Sequence, residues 1–143
     1  MHPVVASVFG TALKLHQWIY ETTDGRLGAN LGGRPMLLLR TTGRKTGQPR
    51  TAALLYVEDG ANRVVIASKG GAPQHPGWFH NLRAQPEVEI QIGRERHDVR
   101  ARTAAGEERA RLWAAADKVN GGLYSTYQSQ TSREIPVIVL EPR

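Results

Sequence analysis

Residues 35–57 read PMLLLRTTGRKTGQPRTAALLYV and place a basic, glycine-containing turn between two apolar runs. This pattern predicts a β-hairpin with strands over Pro35–Thr41 and Thr51–Val57. Further strands are predicted at Arg63–Ala67, 87–92, Glu95–Thr103 and Ile135–Leu140, and helices at 4–21, 76–84 and Glu107–Val119. About six short antiparallel strands with few helices indicate the α+β class and a small β-barrel with flanking helices.

The length of 143 residues suits a single domain with one core. We expect an amphipathic N-terminal helix within 1–24, a glycine-rich loop at 25–34 and a barrel core at 35–143. The apolar side of the helix over 4–21 packs on its own domain or contacts a partner or a membrane surface. The sequence leaves these alternatives open.

Charge and composition narrow the class of ligand. Nineteen basic and thirteen acidic residues give a net charge of +6, which favours an anionic partner. The chain has no cysteine, which excludes disulfides, thiolate catalysis and thiolate-bound metals. No apolar run approaches the roughly 20 residues of a membrane span, and no signal-peptide pattern opens the chain. We therefore expect a cytoplasmic protein.

The basic turn is the first candidate for a binding site. Arg44 and Arg50 have guanidinium groups that grip phosphate oxygens, Lys45 adds a point charge, and glycines on either side allow close approach of a ligand. A second glycine-rich loop, Ser68–Gly71, follows a predicted strand and carries Lys69. Together the two loops predict a site for the phosphate of a small ligand. The alternative is a solvated hairpin turn with no ligand.

Signatures of other chemistry are missing from the sequence. The turn lacks the ending of a phosphate-binding P-loop, and no dinucleotide-binding or nucleophile-elbow motif occurs. His75 and His80 are five residues apart, a spacing that does not place both on one helical face, and we interpret them as solvated surface histidines without a metal. A bound cofactor is therefore the expected source of any reactivity. Tyr124 and Tyr127, three apart among polar residues, favour the wall of a ligand pocket over a purely buried position.

Four ordered blocks of the chain resemble the deazaflavin-dependent nitroreductase and quinone reductase family of actinobacteria. They are Leu38–Arg50 (LLRTTGRKTGQPR), Ala67–Ala72 (ASKGGA), Pro76–Leu82 (PGWFHNL) and Tyr127–Val137 (YQSQTSREIPV). The resemblance runs from about residue 24 to residue 143. It implies a split β-barrel of the flavin-binding type and the cofactor coenzyme F-420, an 8-hydroxy-5-deazaflavin with a phosphate and a polyglutamate tail.

The resemblance also implies roles for individual residues. The implied cofactor-binding residues are Arg44, Lys45, Arg50, Thr51, Ala53, Leu54, Ala67, Ser68, Lys69, Gly70, Gly71, Gly77, Trp78 and Asn81. Tyr124, Tyr127 and Ser68 are the implied residues on the acceptor side. The expected reaction is hydride transfer from the reduced deazaflavin to a quinone or to another conjugated carbonyl or nitro acceptor.

Other functions stay open at this stage. One alternative is a split-barrel oxidoreductase that uses FMN, and another is a non-catalytic module that binds the cofactor. Nucleic-acid binding is not expected, because the cations cluster in turns beside glycines and only 6% of the residues are aromatic. We expect a monomer.

Overall fold

The hairpin predicted from residues 35–57 is present and supplies two strands of the sheet. Strands β2 (Arg34–Thr42) and β3 (Pro49–Leu55) pair antiparallel, with Leu38 opposite Ala53 at the middle of the register and Thr42 opposite Pro49 at the turn. The backbone N–H of Gly43 closes the turn by donating to Gln48 O at 2.8 Å. The prediction of a hairpin around the basic turn is therefore confirmed.

The structure is a computed structural model that describes residues 14–21, 23–24, 28–31 and 33–143. The strands are β1 (Asn30–Leu31), β2 (Arg34–Thr42), β3 (Pro49–Leu55), β4 (Val57–Asp59), β5 (Asn62–Ile66), β6 (Glu87–Ile92), β7 (Glu95–Thr103) and β8 (Val137–Pro142). The helices are α1 (14–21), α2 (Gly77–Ala84), α3 (Gly106–Val119) and α4 (Leu123–Ser129), with a 3₁₀ turn at Lys69–Gly71. The part of the predicted N-terminal helix that precedes residue 14 lies outside the described residues.

All the described strands belong to one antiparallel sheet that curls into a split barrel. Its order is β1-β2-β6-β7-β8-β5-β4, and β3 pairs with the other edge of β2. The predicted α+β split barrel is confirmed. The predicted number of about six strands is too low, because the short strands β1 and β4 lie where the sequence indicated a glycine-rich loop and the end of a longer strand.

The chain changes its pairing partner at Tyr56, and this explains the extra strand β4. The N–H of Tyr56 still donates to Pro35 O, next to the β2–β3 ladder. The next residue, Val57, already pairs with Val64 of β5. A continuous apolar run was therefore predicted as one strand, although its two parts belong to different ladders.

Two layers of apolar side chains hold the barrel together. On β5, Val65 points into the barrel while Val64 and Ile66 face the opposite side. The outer layer packs against α3 and α4 through residues such as Leu112 and Tyr124. Burial of one such aliphatic side chain contributes about 1.5–3 kcal/mol, so two layers on one strand fix β5 and the loop that follows it.

Helix α1 packs by a different face from the one that the apolar pattern indicated. Tyr20 is fully buried, and its hydroxyl donates to Met36 O at 3.1 Å and accepts from Gly93 N at 2.8 Å. Leu15 and Trp18, in contrast, are 58% and 61% exposed. The sequence left open whether the apolar side of this helix packs on its own domain or contacts a partner or a membrane, and Leu15 and Trp18 are not packed on the domain. Within the described residues, no helix combines the length and the apolarity that crossing a membrane requires.

Candidate cofactor cleft

A cleft of about 350 Å³ opens where the basic turn, the start of β3 and the first turn of α2 meet. Its volume lies in the range of small-ligand sites, about 300–1,000 Å³. The lining residues are Thr41, Gly43, Arg44, Lys45, Thr46, Arg50, Thr51, Ala52, Gly77, Trp78 and Asn81. The structure thus brings together the turn and the helix that the sequence placed in one site.

Asn81 ties the basic turn to α2. Its Oδ1 accepts from the backbone N–H of Arg44 at 3.1 Å, and its Nδ2 donates to Oγ1 of Thr41 at 3.1 Å. Asn81 and Thr41 are both 5% exposed, so water competes little for these bonds. The turn therefore keeps a fixed position relative to the helix, and its cations stay at the mouth of the cleft.

The cations of the turn have no acidic partners in the part of the chain that the structure describes. Arg44, Lys45 and Arg50 make no ion pair there, whereas Arg96 and Arg100 on β7 each pair with a glutamate of β6. The side chains of Arg44, Lys45 and Arg50 are all exposed. The first turn of α2 adds the positive end of a helix dipole at Gly77. The cleft is therefore suited to an anionic ligand, because no carboxylate among the described residues pairs with these cations.

The second loop has the backbone geometry of an anion-binding nest. Ser68 is in the right-handed region (φ −78°, ψ −38°) and Lys69 follows with φ +46°. Successive N–H groups in such an arrangement converge on one side. The N–H groups of Ser68, Lys69 and Gly70 donate to no residue among those described, whereas that of Gly71 donates to Ser68 O. The loop thus offers unpaired donors to a ligand.

The two loops act on a common residue, His80 of α2. Burial lowers the pKa of His80, and the positive charges of Arg44, Arg83, Lys45 and Lys69 lower it further. Residues 68–71 do not line the cleft itself, so a ligand site formed jointly by the two loops stays a prediction.

The histidines correct one sequence expectation. His75 precedes α2, so the helical spacing rule does not apply to it, and its ring centroid lies 5.7 Å from that of His80. Both side chains are half-buried and not solvated surface groups. Burial, followed by the positive charge of Arg133, lowers the pKa of His75. The pair is therefore part of the structure that supports the second loop.

Some of the predicted cofactor residues lie away from the cleft lining. Ala53 packs with Tyr20 on the outer side of β2, and the Leu54 and Ala67 side chains belong to the barrel interior. The backbones of Ala53 and Leu54 remain close to the cleft, because they follow the lining residues Thr51 and Ala52 on β3. Ala67 directly precedes the second loop. A role for these residues through the backbone stays a prediction.

The predicted acceptor residues occupy unequal positions. Tyr124 is 6% exposed and packs in the layer between the sheet and α3, so the expectation that polar neighbours keep it from the core is wrong. Burial raises the pKa of its hydroxyl. Tyr127 is half-buried, and its backbone oxygen would lie 2.8 Å from a Cβ added at Gly71. Ser68 opens the second loop and is half-buried. The roles of all three at an acceptor stay predictions.

Four lining residues were absent from the predicted site: Thr41, Gly43, Thr46 and Ala52. Three of them belong to the basic turn that the sequence had singled out, so position within that turn was an available signal. Ala52 has no signal of its own, because which residues of β3 border the cleft depends on how the strand meets α2.

The sequence profile and the curated relatives place the chain among one group of proteins. The sequence profile described as F420H(2)-dependent quinone reductase matches residues 12–142. An F420H(2)-dependent quinone reductase of Mycobacterium tuberculosis is 49% identical over 134 residues, which are 92% of this chain and 90% of that protein. A solved F420-H2 dependent reductase is 41% identical with a TM-score of 0.69, over 76% of this chain and 95% of that one. A structure described as a domain-swapped dimer is 38% identical with a TM-score of 0.70, over 87% and 98%.

Proposed function

The chain belongs to the F420H(2)-dependent quinone reductase family, and we propose that it transfers a hydride from reduced coenzyme F-420 to a quinone. The observation that carries this function is the cleft itself. Three cations without acidic partners among the described residues, Arg44, Lys45 and Arg50, border the same cleft as the indole of Trp78. A ligand that is both anionic and aromatic satisfies both features.

The residues of the cleft fit the phosphate and the acidic tail of the deazaflavin. We assign Arg44 and Arg50 to phosphate or carboxylate oxygens, which guanidinium groups bind bidentately, and Lys45 to a single oxygen. The unpaired N–H groups of the second loop, with Lys69, provide a second set of donors. Neutral ligands would leave this charge uncompensated.

The ring side of the site is supplied by β3 and α2. Among the described strands β3 pairs only with β2, so its other edge presents backbone groups, of which the Thr51 carbonyl accepts from Nε2 of Gln17 at 3.1 Å. The remaining edge groups are of the kind that pair with the polar rim of a planar ligand. The side chain of Trp78 is half-buried against the barrel core and so has a fixed orientation. A Cβ added at Gly77 would meet nothing within 4 Å, so space is open there for a ring. The bound, reduced coenzyme supplies the hydride, and the chain orients it toward the acceptor.

We place the acceptor on the side of the second loop and α4. Of the three predicted acceptor residues, Tyr127 and Ser68 are half-buried and therefore accessible in part, whereas Tyr124 is buried. Tyr124 supports Tyr127 from behind, with the two ring centroids 6.5 Å apart. A quinone is the acceptor that the family implies, and we extend the proposal to conjugated carbonyl and nitro compounds of similar shape.

The test of this function is a pair of fluorescence titrations with the whole chain. We expect saturable binding of oxidised coenzyme F-420 and at least tenfold weaker binding of FMN, because FMN has a phosphate but no acidic tail for the additional cations. Tighter binding of FMN than of the deazaflavin would contradict the proposal and favour an FMN enzyme. Binding of the deazaflavin without consumption of its reduced form by any quinone would indicate a non-catalytic binding module.

We further propose a peripheral contact of α1 with the inner face of the cell membrane. Leu15 and Trp18 are three residues apart, are more than half exposed, and share the helix with Lys14. An apolar surface with a nearby cation is suited to an anionic lipid interface, where quinones are dissolved. Sedimentation with anionic vesicles tests it, and equal recovery of wild type and a Leu15→Ser, Trp18→Ser variant would contradict it.

We propose that the working form is a monomer, since the described residues of a single chain already supply the cations and the indole that border the cleft. The similar structure described as a domain-swapped dimer makes the dimer the alternative to exclude. Light scattering coupled to size exclusion decides between them. A dimer that persists at nanomolar concentration would contradict the proposal.

A further inference from the structure

The loop at Ser68–Ala72 is held from below by one side chain, Arg133, which lies between α4 and β8. Its Nε donates to Ala72 O at 2.8 Å, its Nη2 to Ser68 O at 2.6 Å and its Nη1 to Ala67 O at 3.1 Å. Nη1 also lies 3.0 Å from Nδ1 of His75. One guanidinium therefore contacts the loop on both sides of the 3₁₀ turn.

These contacts fix the direction of the unpaired N–H groups in the loop. A peptide unit is planar, so its N–H points away from its C=O. Because the carbonyls of Ala67 and Ser68 face Arg133, the N–H groups of Ser68 and Lys69 face the opposite side. Lys69 also has φ +46°, a conformation that a residue with a side chain adopts only when its surroundings impose it.

The charge of Arg133 reinforces this geometry. In the described part of the chain, no carboxylate lies within ion-pair distance of the Arg133 guanidinium. Carbonyl oxygens and an imidazole contact it instead. A net positive charge therefore stays beneath the loop. Lysine has the same charge, but its single nitrogen does not span carbonyls on both sides of the turn, as the planar fork of arginine does.

We infer that Arg133 is a positioning residue that holds Ser68–Ala72 in the conformation in which its backbone N–H groups bind the phosphate-bearing part of the ligand. The inference rests on the proposed function for the identity of the ligand as coenzyme F-420. It does not make Arg133 a ligand contact, since its guanidinium nitrogens are already engaged by the carbonyls of Ala67, Ser68 and Ala72 and by the His75 ring. The effect of the residue is transmitted through the carbonyls that it binds.

The test compares Arg133→Lys with a matched control, Arg109→Lys. Arg109 likewise donates to a backbone carbonyl, Ile135 O at 2.8 Å, but within the described residues it does not contact the second loop. We expect Arg133→Lys to bind F-420 at least about tenfold more weakly, the size of one lost charged hydrogen bond. The same variant should bind a deazaflavin that lacks the phosphate and tail within twofold of wild type. Arg109→Lys should bind both ligands like wild type.

Two outcomes of these titrations overturn the inference. Unchanged F-420 affinity in Arg133→Lys shows that the loop does not need the clamp, and an equal loss for both ligands shows general damage to the fold. If Arg133→Lys does not fold, His75→Ala replaces it, since it removes one of the contacts of the guanidinium. A selective two- to fivefold loss for F-420 then supports the inference, and no loss overturns it.

A second measurement separates this inference from the proposed function. Backbone amide resonances of Ser68, Lys69 and Gly70 are followed by NMR while inorganic phosphate is added to the wild type and to the Arg133 variant. Shifts in the wild type that are lost in the variant support the inference even if F-420 does not bind. Absence of a response in the wild type overturns it even if F-420 does bind.

Discussion

Asn81→Ala is the substitution that most directly tests how the basic turn is held. The change removes two hydrogen bonds of 3.1 Å each, one from the N–H of Arg44 and one to the hydroxyl of Thr41, and a longer one of 3.5 Å from the Arg44 guanidinium. A net hydrogen bond contributes about 0.5–1.5 kcal/mol, so the free energy of unfolding should fall by about 1–3 kcal/mol. For a domain of this size the melting temperature should drop by roughly 3–9 °C.

The same substitution should weaken ligand binding by a related factor. If the bonds of Asn81 select the binding-competent position of the turn, their loss reduces the population of that position, and the apparent dissociation constant rises accordingly. A free-energy change of about 1–3 kcal/mol corresponds to roughly a 5- to 150-fold loss of affinity for F-420. Isothermal titration at a temperature where the variant is fully folded measures this loss.

Gln91→Ala is the matched control for a lost buried amide. Gln91 is 1% exposed and bonds to Arg40, Asp24 and Gly93, away from the lining of the cleft. The Gln91→Ala substitution should lower the free energy of unfolding by a similar amount and leave the affinity for F-420 within twofold of wild type. An Asn81→Ala protein that is destabilised but binds F-420 with wild-type affinity would refute the reasoning.

Three further predictions concern charge, pH and the tyrosines. Lys69→Ala should weaken F-420 binding by about tenfold at low salt and by less at high salt, and a titration with unchanged affinity at both would remove Lys69 from the site. The pKa values of His75 and His80 are lowered in the folded chain, so the unfolded chain binds protons more readily. The contribution of these histidines to the free energy of unfolding is therefore complete above about pH 6.5 and is lost as the pH falls below that value. Melting curves from pH 8 to 5 should show this loss, and it should be smaller in a variant with both histidines changed to glutamine. Tyr127→Phe should raise the KM for the quinone more than Tyr124→Phe, because Tyr124 is buried behind it, and the reverse order would contradict our placement of the acceptor.

The sequence predicted those parts of the fold that depend on local patterns. The alternation over β6 and the glycine-bounded turn after β2 each define an element without reference to the rest of the chain. The division at Tyr56 could not be predicted, because it depends on a second ladder that β4 forms with β5. The exposure of Trp18 was missed for a similar reason, since Tyr20 anchors the helix by another face through bonds to β2 and to the turn after β6.

The candidate site shows the same limit. Glycines and cations in one turn indicate an anion site by composition, and the structure brings those residues to one cleft. The clamp by Arg133 joins residues more than 60 positions apart, as with Ala67 and Ser68. Neither charge pattern nor periodicity predicts such a pairing, because it arises only when α4 and β8 are packed beside the second loop.

Oxidation of reduced F-420 by menadione in the presence of the protein shows whether this cleft holds a hydride donor for a quinone. We expect turnover that depends on enzyme concentration, saturates in both substrates, and falls when Arg44 and Arg50 are both changed to alanine. The fall should appear mainly in the KM for reduced F-420, because these cations bind the coenzyme and do not contact the acceptor. Bound reduced F-420 that stays unoxidised by menadione and by other quinones, or turnover that the double variant leaves unchanged, would contradict the account.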